Sequence, residues 1–226
     1  MSESSDPDLP ERKKLLIVED HPLFRSMLAQ MICQQSDMTV CGETDNIRDA
    51  MRMVENTDPH AAIIDLTLKG SSGLELVKTL KTRTVPLPVL VLSMQPENLY
   101  AERVLRAGAR GFISKSETPS EVILAIRKVL DGGIYVSESI NHMLLQRLSN
   151  PSAVKRTSEL DLLSDREIEV FQLFGQGLNS REISARISLG VSSVESYRSR
   201  IREKLVIRNS AELYQRAARW VAEQGL

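Results

Sequence analysis

Aromatic residues are scarce in this chain. They make up 4% of its 226 residues, with a single Trp, so any core must be built from Leu, Ile, Val, Ala and Met. Cysteine is scarcer still. Cys33 and Cys41 cannot form a disulfide framework, and the three histidines, His21, His60 and His142, offer them no zinc-ligand spacing. Both are expected to be small buried hydrophobes of a reducing compartment. An excess of charge is missing too. Lys+Arg 29 against Asp+Glu 30 leaves a net charge of −1, so a surface for nucleic acid would have to be local. No apolar run approaches the roughly 20 residues of a membrane span. The N-terminal stretch Met1 to Lys14 is polar, with turn formers at Asp6, Pro7, Asp8 and Pro10. It lacks the apolar region of a signal peptide and is expected to be a disordered tail on a cytoplasmic protein. What is present, 42% hydrophobic and 26% charged residues, is ordinary globular composition and excludes collagen-like and wholly disordered classes.

From Leu15 onward, short apolar runs alternate with longer amphipathic stretches. Leu15 to Val18, Met38 to Cys41, Ala61 to Ile64, Pro88 to Leu92 and Gly111 to Ile113 read as strands. Pro22 to Gln35, Asp45 to Asn56, Gly73 to Lys81, Asn98 to Ala107 and Thr118 to Leu130 read as helices, the fourth closed by Gly108. Strands that are apolar throughout, in alternation with helices, predict an α/β domain with a parallel sheet covered on both faces. Ser137 to Leu148 reads as a linking helix, and Ser149 to Glu159 as a polar linker. From Leu162 the pattern is all helical. Ser164 with Glu167 predicts a capping box, followed by helices at Ser180 to Ile187, Val191 to Leu205 and Ser210 to Glu223.

The chemistry-bearing residues fall at the C-terminal ends of strands: Glu19 and Asp20 after the first, Asp65 after the third, Ser93 after the fourth and Lys115 after the fifth. In an open parallel sheet, ligands bind at that edge where the strand order reverses. A 2-1-3-4-5 order would bring the three carboxylates together. Such a cluster needs a cation, and hard oxygen ligands suit Mg²⁺. Asp65 is then a candidate nucleophile toward phosphorus. Ser93 could hydrogen-bond a phosphoryl oxygen and Lys115 could neutralise it. His21 is expected to be a surface residue beside this pocket.

Val18-Glu19-Asp20-His21-Pro22, Ile63-Ile64-Asp65-Leu66, Val91-Leu92-Ser93 and Gly108 to Lys115 resemble the receiver domain of two-component response regulators, over about Lys13 to Gly132. The resemblance implies that Asp65 accepts a phosphoryl group from a histidine kinase. It implies that Glu19, Asp20, Asp65 and the backbone carbonyl of Thr67 hold Mg²⁺, and that Ser93 and Phe112 form a switch pair. Phe112 lacks the hydroxyl of the more usual Tyr.

Val191 to Leu205 carries Arg198, Arg200, Arg202 and Lys204 against Glu195 and Glu203, with Arg208 just beyond. This basic stretch suits phosphates, although residues two apart cannot share one helical face. Leu163 to Glu167, Gly177 to Ile183 and Val194 to Leu205 resemble the LuxR-type DNA-binding domain, over about Leu162 to Arg219. The whole chain thus resembles the NarL/FixJ family of transcriptional regulators. The family's base-reading positions fall on Glu195, Ser196 and Ser199, while Arg198, Arg200 and Lys204 are expected on phosphates; the alternative for Glu195 is a structural pairing with Arg198 or Ser199 on its own helix. Ser184 stands where Ala is usual, Gly190 where Ser or Thr caps, and Ser193 where Thr is usual, so a variant turn is expected.

The expected organisation is therefore a tail at 1–12, a flavodoxin-like receiver at 13–135, a linker at 136–160 and a small all-α helix-turn-helix domain at 161–226. The expected function is phosphorylation-dependent transcription control, with no enzymatic activity of its own. Its expected partners are a sensor histidine kinase, double-stranded DNA, RNA polymerase and a second copy of the chain. Two rival readings stand beside this one. An Asp-nucleophile phosphatase of the haloacid dehalogenase type wants an Asp where Thr67 stands. A regulator whose output is protein binding would not retain DNA in a salt-dependent way.

Overall fold

Five apolar runs become five parallel strands, as burial on both faces requires. In the computed structural model, which describes residues 12–68, 71–149 and 159–224, these are β1 (Lys13–Val18), β2 (Met38–Thr44), β3 (Ala61–Asp65), β4 (Val89–Ser93) and β5 (Gly111–Ser114). The sheet order is β2-β1-β3-β4-β5, so the order reverses between β1 and β3. The intervening helices are α1 (Pro22–Cys33), α2 (Ile47–Thr57), α3 (Gly73–Lys81), α4 (Glu97–Ala107) and α5 (Pro119–Leu130). One face of the sheet packs Leu15, Ile17, Ile63, Leu90, Leu92 and Ile113 on α1 and α5 residues such as Leu28, Ile32, Val122 and Ile126. Each such side chain contributes about 1.5–3 kcal/mol on burial.

Local chemistry sets the helix ends. Asn46 caps α2 by accepting from the Asp49 amide, and Thr118 caps α5 by accepting from the Glu121 amide. Gly108 ends α4 at φ +118°, where a side chain would be strained. Between β3 and α3 there is a two-residue antiparallel pairing, Thr67–Leu68 with Ser71–Ser72, which the periodicity did not suggest. Cys33 is exposed and Cys41 half-buried, so the expectation of two buried thiols is corrected. Cys33 ends α1 on its outer side, and Cys41 sits on β2, the edge strand, accepting from the Thr57 hydroxyl.

The chain divides into two compact units that meet in sequence between Asn141 and His142. Helix α6 (Glu138–Ser149) spans this junction. The expected tail up to residue 11 and the linker core at 150–158 lie outside the described residues. In the second unit a short 3₁₀ turn, Glu159–Leu162, precedes α7 (Asp165–Gly175), α8 (Ser180–Arg186), α9 (Val191–Lys204) and α10 (Ser210–Gln224). The capping box of Ser164 and Glu167 forms as expected, and Asn179 with Glu182 makes a second one at α8. Helices α7 and α10 approach closely at Gly175, where an added Cβ would lie 2.5 Å from the Ala217 carbonyl oxygen. The aromatic pairs Phe171–Trp220 and Phe174–Tyr214 complete this core, with ring centroids 5.9 Å and 5.3 Å apart.

Candidate functional site: an acidic pocket and a basic helix

At the reversal of strand order the chain leaves β1 through Glu19 and Asp20 and leaves β3 through Asp65. Register fixes their proximity, because Val18 and Ile64 are paired across β1 and β3. Glu19, Asp20 and Asp65 are all buried. Lys115, just beyond β5, reaches them from the other side. Its Nζ lies 2.6 Å from Glu19 Oε2 and 2.9 Å from Asp65 Oδ2, and 4.8 Å from the centre of the Phe24 ring. The Lys115 amide donates to the Ser93 carbonyl at 2.9 Å, which ties the two strand ends together. Three carboxylates thus face a single lysine, a residual negative charge that suits a divalent cation.

Asp65 carries the electrostatic consequence. Burial pushes its carboxyl up to about 6, and the nearby Glu19 adds to the rise, while Lys115 and the Thr67 amide oppose it. The Thr67 amide donates to Asp65 Oδ1 at 3.3 Å. Beneath Asp65 lies Gly73, the first residue of α3, whose Cβ would fall 1.9 Å from the Asp65 carbonyl oxygen. Only glycine permits that approach. Periodicity assigns Gly73 only the start of a helix, and a glycine in that position is the one sequence signal of this close approach.

Ser93 is fully buried, and its Oγ accepts from the Gln95 amide at 3.0 Å. Phe112 is fully buried on β5. Two residues past Gln95, Glu97 opens α4 and accepts from the Ser137 amide at 3.0 Å, just ahead of α6. The sequence offered no signal for this contact, which joins segments forty residues apart. His21 is exposed, as expected, but its ring turns inward. Nδ1 lies 3.0 Å from Glu19 Oε1 and 2.9 Å from Asp20 Oδ1, and one donor atom each from Glu19, Asp20, His21 and Asp65 falls within 4.8 Å of the others. Arg25 donates from Nη1 to the Glu19 carbonyl, bracing the same turn.

In the second unit, α8, a tight turn and α9 form a helix-turn-helix. Ser188 has φ +52°, and the Ser184 hydroxyl donates to the Leu189 carbonyl at 2.6 Å, a bond that Ala could not make. Gly190 caps α9 with no side-chain hydrogen bond. Along α9, Ser196, Ser199 and Arg200 are exposed, with Arg200 stacked 5.6 Å from the Tyr197 ring. Glu195 is half-buried and pairs with Arg198 at 2.6 Å on its own helix. Lys204 points elsewhere: its Nζ lies 2.6 Å from Oε2 of the buried Glu167, the capping residue of α7. Burial alone would raise the Glu167 carboxyl. The Lys204 and Ser164 hydrogen bonds outweigh it and hold the group below the usual range. Arg202 donates to the Arg208 carbonyl at 2.7 Å.

Comparison with known proteins matches residues 15–127 to the response regulator receiver domain and residues 161–217 to the luxR family of bacterial regulatory proteins. The virulence-factor positive transcription regulator BvgA of Bordetella pertussis is 33% identical over 91% of this chain and 97% of its own. The response regulator UvrY of Escherichia coli is 30% identical over 91% of this chain and 93% of its own. The RcsB response regulator of Salmonella typhimurium, 23% identical, shares the fold over 92% of this chain and 98% of its own, with a TM-score of 0.54.

Proposed function

The chain belongs to the NarL/FixJ family of response regulators, and from that premise we propose that phosphorylation of Asp65 by a sensor histidine kinase controls DNA binding by the α8–α9 unit. The observation that carries this reading is the meeting of Glu19, Asp20, Asp65 and Lys115 in one pocket. At neutral pH Asp65 is mainly ionised and can act as nucleophile. Its carboxylate oxygen bonds to phosphorus as the phosphorus–nitrogen bond of a phosphohistidine breaks, and the imidazole leaves with a proton from solvent. Glu19, Asp20, Asp65 and the Thr67 carbonyl would hold Mg²⁺, which supplies charge neutralisation for the phosphoryl oxygens. Lys115 moves from carboxylate to phosphoryl oxygen. Ser93 leaves the Gln95 amide to donate its hydroxyl to the same group, and Phe112, lacking a hydroxyl, answers by packing alone.

That movement has a route outward. The Gln95 amide, released by Ser93, lies two residues from Glu97, and Glu97 holds Ser137 at the start of α6. Rearrangement of the α4 end therefore reaches the connection to the helical unit. There Ser196, Ser199 and Glu195 read base edges, while Arg198 and Arg200 contact phosphates. Lys204 braces α9 against α7, so any phosphate contact it makes competes with Glu167. Two copies binding paired half-sites fit this arrangement, as do a cytoplasmic location and contact with RNA polymerase. Among the described residues no helix is long and apolar enough to cross a membrane. The receiver is proposed to span 13–135 and the DNA-binding unit 161–226, joined by 136–160.

The test is labelling with acetyl phosphate or a cognate kinase in Mg²⁺. Asp65→Asn is expected to abolish acid-stable, alkali-labile labelling of the wild-type kind. Persistent labelling of that variant at another residue would overturn the assignment.

A further inference from the structure

We infer that His21 is a nitrogen ligand of the divalent ion held by the acid pocket, and that it shifts the pocket's preference from Mg²⁺ toward first-row transition ions, of which Mn²⁺ is the spectroscopic probe. This rests on the metal reading above and adds a donor to it. The ring is exposed, with 70% of its side chain accessible, yet Nδ1 faces two carboxylate oxygens, Glu19 Oε1 at 3.0 Å and Asp20 Oδ1 at 2.9 Å. Adjacent ligands of an octahedral ion at about 2.1 Å stand about 3 Å apart, so Nδ1, which here hydrogen-bonds Glu19, needs only to place its proton on Nε2 to share one ion with the two carboxylates. Asp20 supplies an independent sign. Its side chain is 7% exposed, and Oδ1 is buried without a hydrogen bond. The nearby Nδ1 makes its hydrogen bond to Glu19 instead. An unsatisfied buried carboxylate oxygen costs free energy that a cation would recover.

The backbone fixes the ring's place. His21 is the N-cap of α1 at φ −88° and ψ 107°, with Pro22 following it. Its amide donates to Glu19 Oε1 at 3.0 Å, and Arg25 holds the Glu19 carbonyl. The turn therefore orients Glu19 and His21 together. Imidazole ligands favour first-row transition ions over Mg²⁺, whose preference is for oxygen.

The test uses the full chain loaded with Mn²⁺ and electron spin-echo envelope modulation. The wild type is expected to show modulation from a directly bound ¹⁴N, and His21→Ala to lose it. In the same variant the Kd for Mn²⁺ should rise about tenfold, while that for Mg²⁺ changes by less than about threefold. The His21 side chain makes no capping hydrogen bond, so His21→Asn, which adds a capping side chain to α1, should still lose the nitrogen modulation as His21→Ala does and so separates ligation from helix stability. Absent nitrogen modulation in Mn²⁺-loaded wild type, or modulation that survives His21→Ala, overturns the inference and leaves the acid pocket intact. If Asp20→Asn and Asp65→Asn also leave Mn²⁺ affinity unchanged, the metal reading itself fails.

Discussion

Asp65 enters the folded state at a cost. Its carboxyl sits at about 6 against an ordinary value of 3.8, so between those values the native chain binds more protons than the unfolded one. Stability then falls as pH rises from about 4 to about 6 and is flat above. Without divalent ions, Asp65→Asn should therefore unfold about 1–2 kcal/mol harder than wild type at pH 7.5, the freed Lys115 offsetting part of the gain. The advantage should vanish as pH falls toward 4. Urea unfolding in EDTA at several pH values checks this, and an advantage that grows on acidification would contradict it. On α9 the roles divide by partner. Glu195→Ala should relax preference at one base-pair position by about 1–3 kcal/mol. Arg200→Ala should weaken all sequences and reduce the salt slope by about one. Binding-site selection with each variant decides, and an unchanged logo for Glu195→Ala beside a changed one for Arg200→Ala would exchange the roles. The pocket residues were legible because strand ends in a parallel sheet converge by topology. The pairing of Glu195 with Arg198 was legible too, because i,i+3 spacing puts the two on one helical face; the inward turn of His21 was not, because side-chain direction depends on neighbours that periodicity does not name.

The elements were legible where a strong pattern and a strong stop coincide. Gly73–Lys81 has the bounds that its periodicity predicts, and the Ser164–Glu167 box sits where its spacing puts it. Strand β2 runs three residues past Cys41 to Thr44, because Gly42, Glu43 and Thr44 pair with Leu16, Ile17 and Val18 despite the weak strand propensity of Gly42 and Glu43. The pairing of Thr67–Leu68 with Ser71–Ser72 went unseen because two-residue strands have no period. Long-range ion pairs are equally invisible, and one sets the mount of α9. Lys204 joins the last turn of that helix to Glu167 at the first turn of α7. Lys204→Met should leave the buried Glu167 with its capping contacts alone, destabilising the helical unit by about 1–3 kcal/mol. Glu167→Gln keeps a capping acceptor and should cost less, about 1 kcal/mol. Because the Glu167 carboxyl is held low, its stabilising contribution is present above the ordinary carboxyl value of 4.5 and is lost as pH falls below it. Thermal unfolding of the helical unit at pH 7 and at pH 3.5 checks both points. Equal loss for Lys204→Met at the two pH values would show that the ion pair is not the cause.

For the whole molecule, the question is whether the receiver restrains the helical unit or merely pairs it. The second unit has its own core of Ile168, Phe171, Phe174, Val194, Ile201, Leu213 and Ala217, all buried. Leu160 belongs to that core: it is buried and lines a cavity of about 290 Å³ with Phe171, Leu205 and Trp220. A fragment must therefore begin before Leu160, and one covering 159–226 is expected to fold alone. If phosphorylation releases a restrained domain, this fragment should bind operator DNA without any phosphoryl donor, and as tightly per half-site as the phosphorylated full chain. If phosphorylation acts by pairing two receivers, each half-site contact is unchanged but the second becomes intramolecular. A linker of this length gives an effective concentration of about a millimolar, so paired binding should exceed fragment binding by about 100-fold or more. The two schemes separate on a half-site duplex, where pairing gives no advantage. There, release predicts that the unphosphorylated full chain binds worse than the fragment, and pairing predicts that the two bind equally. A fragment that is folded by circular dichroism yet retains no DNA at low salt would contradict both. It would require the receiver to complete the DNA-binding surface itself.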